Sequence, residues 1–143
     1  MSENRASALH VSSCPTATVA DFVVQCLIDC GVHHVFGGHG GSVVPLINAI
    51  MRSNQGDAHG VKWVYCRTEV NAAMAAAAYG KLSRLGVCVG TSGPGASHLV
   101  SGAIDAQLDR VPMLVLTGMK DLGKIGHSDF QVRTFNASFQ FLS

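Results

Sequence analysis

Apolar and polar positions follow one another along this chain in blocks of two kinds. Short runs rich in β-branched and apolar residues, typical of buried strands, lie at 32–36, 61–66, 87–92 and 111–118. Longer segments with apolar residues every three to four positions, typical of helices, lie at 19–30, 42–53, 68–86 and 96–110. Because these blocks alternate with short connections, the pattern predicts an α/β fold: a mostly parallel sheet with helices on both faces.

The ends of the predicted helices carry residues that begin or end helices. Thr16 or Thr18 can cap the first helix, and Gly31 follows it. Pro45 stands in the first turn of the second helix, where a missing backbone N–H is tolerated. The third helix is rich in alanine, the strongest helix former, and is expected to end at Gly86.

Composition and charge narrow the class of protein. The chain has 143 residues, of which 48% are hydrophobic and 13% charged, and this fits one globular domain with its own core. A formal net charge of +1, with dispersed basic residues, predicts neither a nucleic-acid nor a membrane partner. We therefore expect small molecules or other protein surfaces as partners.

The amino-terminal segment and the cysteines bear on domain limits and location. Residues 1–14 are polar and unpatterned, which predicts a flexible tail before a domain at 15–143. Five cysteines without a framework spacing predict reduced thiols and a cytoplasmic location. The serines and the arginine of the tail are also compatible with an organelle transit peptide, although Glu3 argues against one.

Three loops between a predicted strand and the following helix stand out: "GGHGGS" at 37–42, "CRTE" at 66–69 and "TSGPGAS" at 91–97. In a parallel sheet, the carboxyl ends of the strands lie at one edge, and ligands bind there. The three loops are therefore expected to come together and to form a binding site.

These loops do not match the common nucleotide or hydrolase motifs. Val43 stands where the third glycine of G-x-G-x-x-G is required, and no Gly-Lys-Ser/Thr follows the glycine run. Pro94 replaces the second glycine of a nucleophile elbow around Ser92. A tight turn without a ligand remains an alternative for the glycine run, since glycine tolerates positive φ.

Cys26, Cys30, His33 and His34 are, by residue type, candidate ligands for a zinc ion. The cysteines lie one turn apart on an apolar helix face, where small buried thiols are common, and neighbouring histidines on a strand point in opposite directions. We therefore predict no metal ligands in this chain.

Glu69 is the most distinctive acid, because no other acid lies between Asp57 and Asp105. It follows a predicted buried strand and begins the alanine-rich helix. Two interpretations remain open. The carboxylate can stabilise the start of the helix as a cap or dipole partner, or it can share a proton with a nitrogen atom of a ligand.

Three segments together resemble one known family. They are "VFGGHGGSVVPLINAI" at 35–50, the segment 63–118 from "WVYCRTEV" to "VPMLVLTG", and "DFQ" at 129–131. They are similar to the pyrimidine-binding domain of thiamine diphosphate-dependent enzymes, in the branch of acetolactate synthase and pyruvate oxidase. The resemblance extends from 17 to 131. It implies a doubly wound sheet and, because a further helix and strand are expected after the end of the sequence, an incomplete pyrimidine-binding domain.

The resemblance implies roles for the three loops. The family's R-H-E glutamate falls on Glu69, with Thr68 in place of histidine; it bonds N1' of the cofactor's aminopyrimidine and promotes removal of the thiazolium proton. The family's F-G-x-P-G-G has His39 in place of proline, and its G-P-G-A-T-N ends here in His98. The residues expected to bind the cofactor are Gly38, His39, Gly40, Glu69, Thr91, Pro94 and His98.

The resemblance also implies an activity. The expected enzyme is a carboligase or decarboxylase that acts on pyruvate-like 2-keto acids, with Gln131 on the substrate side. Magnesium would be held by a Gly-Asp-Gly…Asn motif that this sequence lacks, so its ligands are expected outside the chain, and FAD can accompany the full-length enzyme. The chain alone is expected to be inactive.

The implied partner is a diphosphate-binding domain of another chain or of a missing segment, in a homo-oligomer. The alternative is a catalytically inactive, truncated domain that docks on full-length thiamine diphosphate enzymes. In either case the alanine-rich helix, at 72–78, is expected to offer a smooth surface to the partner.

Overall fold

Strands and helices alternate along the residues that the structure, a computed structural model, describes: 18–55 and 60–124. The strands are β1 (His34–Gly37), β2 (Lys62–Tyr65), β3 (Gly86–Gly90) and β4 (Met113–Thr117). The helices are α1 (Val19–Asp29), α2 (Val44–Ser53), α3 (Glu69–Leu82) and α4 (Pro94–Leu108). Short 3-10 turns lie at Gly41–Val43 and Leu122–Lys124.

The four strands form one parallel sheet in the order β2-β1-β3-β4. The chain builds outward from β1 to β2 and then crosses back to β3 on the other side of β1. The direction of winding therefore reverses between β1 and β3, and in such sheets the crevice at this switch point is where ligands bind. The predicted α/β fold is confirmed.

The two faces of the sheet carry different cores. α1 and α2 cover one face with branched aliphatic side chains, which pack on Val35, Val87 and Val89. α3 and α4 cover the other face, where Cys88 and Phe36 meet alanines and Leu99. Successive strand residues alternate between the faces, as a sheet buried on both sides requires.

The alanine-rich face of α3 packs inside the domain. Ala72, Ala73, Ala76 and Ala77 are fully buried. A Cβ added to Gly102 of α4 would overlap Ala73, so the two helices approach backbone to backbone. The prediction that the alanines at 72–78 form a docking surface is therefore wrong for these four residues, because α4 and the sheet already cover them.

Most predicted helix ends are confirmed, but one is wrong. Thr18 caps α1, and Gly31 follows it with a φ of 76°. α3 ends at Leu82 rather than at Gly86, which begins β3. A Cβ on Gly86 would overlap the carbonyl of Ala76, so this glycine serves the close approach of strand and helix.

Several expectations concern parts of the chain outside the described residues. The flexible tail at 1–14 and the substrate-side Gln131 both lie there. Within 18–55 and 60–124, no helix is long and apolar enough to cross a bilayer.

Candidate functional site

The three loops singled out in the sequence lie at the carboxyl ends of β1, β2 and β3, which are neighbours in the sheet. Side chains link two of them across the switch point. The Ser42 hydroxyl bonds the Thr91 hydroxyl at 2.9 Å and accepts the backbone N–H of Ser92 at 3.0 Å. A Cβ on Gly40 would overlap the Thr91 side chain, so the main chain at Gly40 lies directly against that side chain. The predicted clustering is confirmed.

Ser42 also contacts the loop after β4. A Cβ on Gly118 would overlap the Ser42 side chain, and the Gly118 N–H donates to the carbonyl of Gly90 at 3.1 Å. Ser42 therefore joins the loops that follow β1, β3 and β4. This role of Ser42 was not predicted from the sequence; the available signal was a hydroxyl directly after a glycine run, where a loop enters a helix.

Glu69 is the first residue of α3, and its side chain is only 17% exposed. One carboxylate oxygen, Oε1, lies beside two glycines. An added Cβ would be 3.4 Å from Oε1 if placed on Gly38 and 3.1 Å if placed on Gly95. We call Gly38 and Gly95 the glycine pair. Because neither residue has a side chain, the main chain at Gly38 and at Gly95 can lie close to this oxygen.

The helix cap at this point is supplied by Thr68, not by Glu69. The Thr68 side chain accepts the backbone N–H of Asn71 at 3.3 Å. In the described contacts, the side chain of Glu69 does not cap α3, so the first of the two interpretations holds only for the helix dipole. The carboxylate still lies in the first turn of α3, at the positive end of the helix dipole.

The second carboxylate oxygen, Oε2, lies 3.3 Å from Nδ1 of His98 in α4. The His98 side chain is 55% exposed, so the pair stands at the border between the crevice and solvent. The two oxygens of Glu69 thus have distinct surroundings: glycine backbone around Oε1, and an imidazole at Oε2.

The other predicted site residues lie at the rim. His39 is exposed, and its ring centroid is 5.1 Å from that of Tyr65, the last residue of β2. Pro94 is exposed at the start of α4, after Gly93, whose φ of 67° favours glycine. The structure therefore brings Gly38, Gly40, Glu69, Thr91 and His98 to one crevice, with His39 and Pro94 at its edge.

The rejected metal site is also separated by the fold. His34 bonds the hydroxyl of Tyr79 in α3 at 3.0 Å, whereas Cys26 lies in α1, on the opposite face, and Cys30 is the residue that follows α1. In the part of the chain that the structure describes, no group of three or more histidine, cysteine or acidic residues could hold a metal ion.

The crevice instead suits a flat, nitrogen-containing ring. One partly buried carboxylate offers acceptor oxygens to an N–H group, and the glycine pair lets a planar group approach the backbone. These features fit the aminopyrimidine of thiamine diphosphate.

Comparison with known proteins agrees with this chemistry. The sequence model for "Thiamine pyrophosphate enzyme, N-terminal TPP binding domain" matches residues 17–139. Thiamine pyrophosphate is another name for thiamine diphosphate.

Curated relatives are acetolactate synthases. The chain is 41% identical to the acetolactate synthase isozyme 2 large subunit of Escherichia coli over 113 residues, which are 78% of this chain and 20% of the relative. It is 43% identical to acetolactate synthase 1, chloroplastic, of Oryza sativa over 113 residues, 78% of this chain and 17% of the relative.

A third relative, the acetolactate synthase of Mycobacterium bovis, is 38% identical over 115 residues, 80% of this chain and 18% of the relative. The chain thus spans about a fifth of the length of these relatives. Because the family model matches most of the chain, the chain belongs to the thiamine pyrophosphate enzyme family and corresponds to its N-terminal TPP binding domain.

Proposed function

We propose that the crevice between β1 and β3 binds the aminopyrimidine ring of thiamine diphosphate and that Glu69 is its catalytic carboxylate. One observation carries the proposal: the partly buried carboxylate of Glu69 has one oxygen beside the glycine pair, at the switch point of the sheet. Thr68, not Glu69, caps α3 with its side chain. A carboxylate held there can accept a hydrogen bond from a ring nitrogen in surroundings that strengthen the bond.

The other residues have supporting roles in this proposal. Gly38, Gly40 and Gly95 admit the ring, while Thr91 and Pro94 shape the side of the crevice that leads into α4. His39 lies at the outer rim with Tyr65. When bound, thiamine diphosphate supplies the nucleophilic carbon that adds to the carbonyl of a 2-keto acid. Glu69 holds or releases a proton at the pyrimidine nitrogen.

For the whole enzyme we propose a carboligase or decarboxylase that acts on pyruvate-like 2-keto acids, with Gln131 on the substrate side. The relatives named acetolactate synthase support this reaction class. Residues outside this chain would hold magnesium and the diphosphate, and FAD is a candidate second cofactor.

A second candidate function is that of a catalytically inactive, truncated domain that docks on full-length thiamine diphosphate enzymes. The supporting observation is apolar exposure on the outer sides of α3 and α4, where Leu82 is 91% and Leu108 78% exposed, with Met74 and Ile104 also exposed. Such surfaces mark protein contacts. Without its partner, such a surface should drive self-association of the chain, which light scattering measures; a compact monomer at high concentration would argue against a docking surface.

The pyrimidine site can be tested with the chain itself. Thiamine carries the aminopyrimidine but no diphosphate, so its binding reports on this half of the site alone. We expect titration of the ¹⁵N-labelled chain to shift the backbone amides of Gly38, Gly40, Thr91 and Gly95. The expected dissociation constant is on the order of 1 mM, corresponding to about −4 kcal/mol. Glu69→Gln should weaken these shifts, while the distant Asp21→Asn should leave them unchanged.

Shifts that cluster on another face, or that are identical in Glu69→Gln, would contradict the proposed site. Calorimetric titration with thiamine diphosphate and magnesium adds a second check. We expect weak binding or none, since the metal and diphosphate ligands would lie outside the chain. Submicromolar binding by the monomer would show that this assignment of the ligands is wrong.

A further inference from the structure

We propose that His98 is a positioning residue for Glu69. Its Nδ1–H donates to Oε2 and thereby keeps Oε1 beside the glycine pair. The inference rests on the proposed role of Glu69, and it explains why one carboxylate oxygen stays available to a ligand while the other does not.

One hydrogen bond is sufficient to orient both oxygens of a carboxylate. The last torsion of a glutamate side chain is broad and roughly two-fold, so an untethered carboxylate rotates easily. The two oxygens and their carbon are rigid with respect to one another. A hydrogen bond that fixes Oε2 at 3.3 Å from Nδ1 of His98 therefore also fixes the direction of Oε1.

The surroundings of His98 favour positioning over structural support. More than half of the side chain is exposed. Glu69 is the only hydrogen-bond partner of its ring among the residues that the structure describes. Loss of the ring should therefore change little in the core and should act mainly on the carboxylate.

A hydrogen bond between His98 and Glu69 fixes the tautomer of the His98 ring, which proximity alone would not do. An ionised carboxylate can only accept, so the ring must donate from Nδ1. In a neutral imidazole this fixes the Nδ1–H tautomer and leaves Nε2 as an acceptor. The protonated nitrogen is assigned here from the hydrogen bond, and its identity is open to measurement.

The first test is ¹⁵N NMR of the histidine rings in the whole chain at a pH of about 8.5, well above the reference value of about 6.5 for histidine. The chain has seven histidines, and the signals of His98 are those lost in His98→Asn. We expect Nδ1 of His98 to resonate as a protonated nitrogen. In Glu69→Ala, we expect the ring to return to the Nε2–H form that free imidazole side chains prefer.

The second test asks which substitutions of His98 keep thiamine binding by placing an N–H donor at the position of Nδ1. Asparagine places its amide nitrogen near the position of Nδ1, whereas glutamine places its own near the position of Nε2. We expect His98→Asn to bind thiamine as the unsubstituted chain does. We expect His98→Gln and His98→Ala to bind it about tenfold more weakly, with unchanged thermal unfolding.

A His98 ring in the Nε2–H form, or one unaffected by Glu69→Ala, would overturn the proposal. Equal binding of thiamine by the asparagine, glutamine and alanine variants would do so as well. If no variant binds thiamine, the proposed function fails, and the tautomer of His98 still decides whether His98 orients Glu69.

Discussion

The first turns of α1 and α3 use a threonine and an acid in opposite ways. In α1, Asp21 accepts the backbone N–H of Thr18 at 2.8 Å and its hydroxyl at 2.7 Å, and it binds the Arg52 guanidinium at 2.6 Å. The hydrogen bond from the Thr18 backbone, with the others, lowers the pKa of Asp21 from 3.8 to about 2. In α3, Glu69 makes none of these contacts, and its carboxylate lies beside the glycine pair and His98.

Spacing explains the difference. Asp21 stands three residues after its capping threonine, so its side chain reaches back to the Thr18 N–H in a capping box. Glu69 stands one residue after Thr68, where a side chain cannot reach back in this way. Thr68 caps α3 alone, and Glu69 is free to extend into the crevice. The register of an acid at the start of a helix thus decides whether its side chain can reach back to the capping residue.

The largest effect that would test this contrast is on turnover. In an enzyme that combines this domain with a diphosphate-binding domain, Glu69→Gln keeps the size of the side chain but removes its proton-accepting oxygen. We expect turnover to fall by about two to four orders of magnitude, the usual range for a positioned proton-transfer group. Steady-state kinetics measure it. A loss of less than about tenfold would place Glu69 with Asp21, as a helix-end acid.

Sequence pattern predicted the part of the fold that periodicity encodes. Strand-helix alternation fixed the parallel sheet, and the parallel sheet brought the three loops to one edge. Pattern did not predict features that depend on close packing. Gly86 admits the carbonyl of Ala76 instead of ending α3, and the alanines of α3 face α4.

The site was predicted unevenly for the same reason. Glu69 was singled out because it is isolated in the sequence, and its role at the cofactor stays a prediction. Its register relative to Thr68 already indicates that its side chain does not form a capping box with Thr68. Ser42 was missed, since its partners Thr91 and Ser92 lie about fifty residues away. His98 was expected at the site, but only coordinates show that it contacts Glu69 through Oε2.

The next largest effect concerns the loops that carry the crevice. Ser42→Ala removes the acceptor of the Ser92 N–H and the partner of the Thr91 hydroxyl. We expect the free energy of unfolding to fall by about 1–3 kcal/mol, the cost of leaving such groups unpaired. Urea denaturation followed by circular dichroism measures it.

Ser97→Ala is the matched control for Ser42→Ala. Among the described residues, the Ser97 hydroxyl bonds only the Pro94 carbonyl, within its own helical turn, at 2.7 Å and at an exposed position. We expect a change within about 0.5 kcal/mol. If both substitutions cost the same, Ser42 does not join the loops.

A smaller effect is expected at the capping box of α1. Asp21→Asn should lower the free energy of unfolding by about 1 kcal/mol at neutral pH, because it loses the charge that faces Arg52 and the helix dipole. The pH dependence has a definite sign. The folded pKa of Asp21 is below its ordinary value of 3.8, so its stabilisation is present above that pH and is lost as the pH falls toward about 2.

Denaturation curves between pH 7 and pH 2 test this prediction. The difference between the unsubstituted chain and Asp21→Asn should shrink as the pH falls through that window. A difference that stays constant down to the lowest pH would show that the carboxylate charge of Asp21 is not what stabilises α1.

The most direct test of the contrast between the two acids is exchange of the thiazolium proton of thiamine diphosphate. It is followed by NMR in deuterated buffer with magnesium, in an enzyme that contains this domain. This step precedes substrate chemistry and isolates the action of the carboxylate. We predict that, at saturating cofactor, Glu69→Gln slows exchange by about two to four orders of magnitude and Asp21→Asn leaves exchange unchanged. Exchange as fast in Glu69→Gln as in the unsubstituted enzyme would contradict the account.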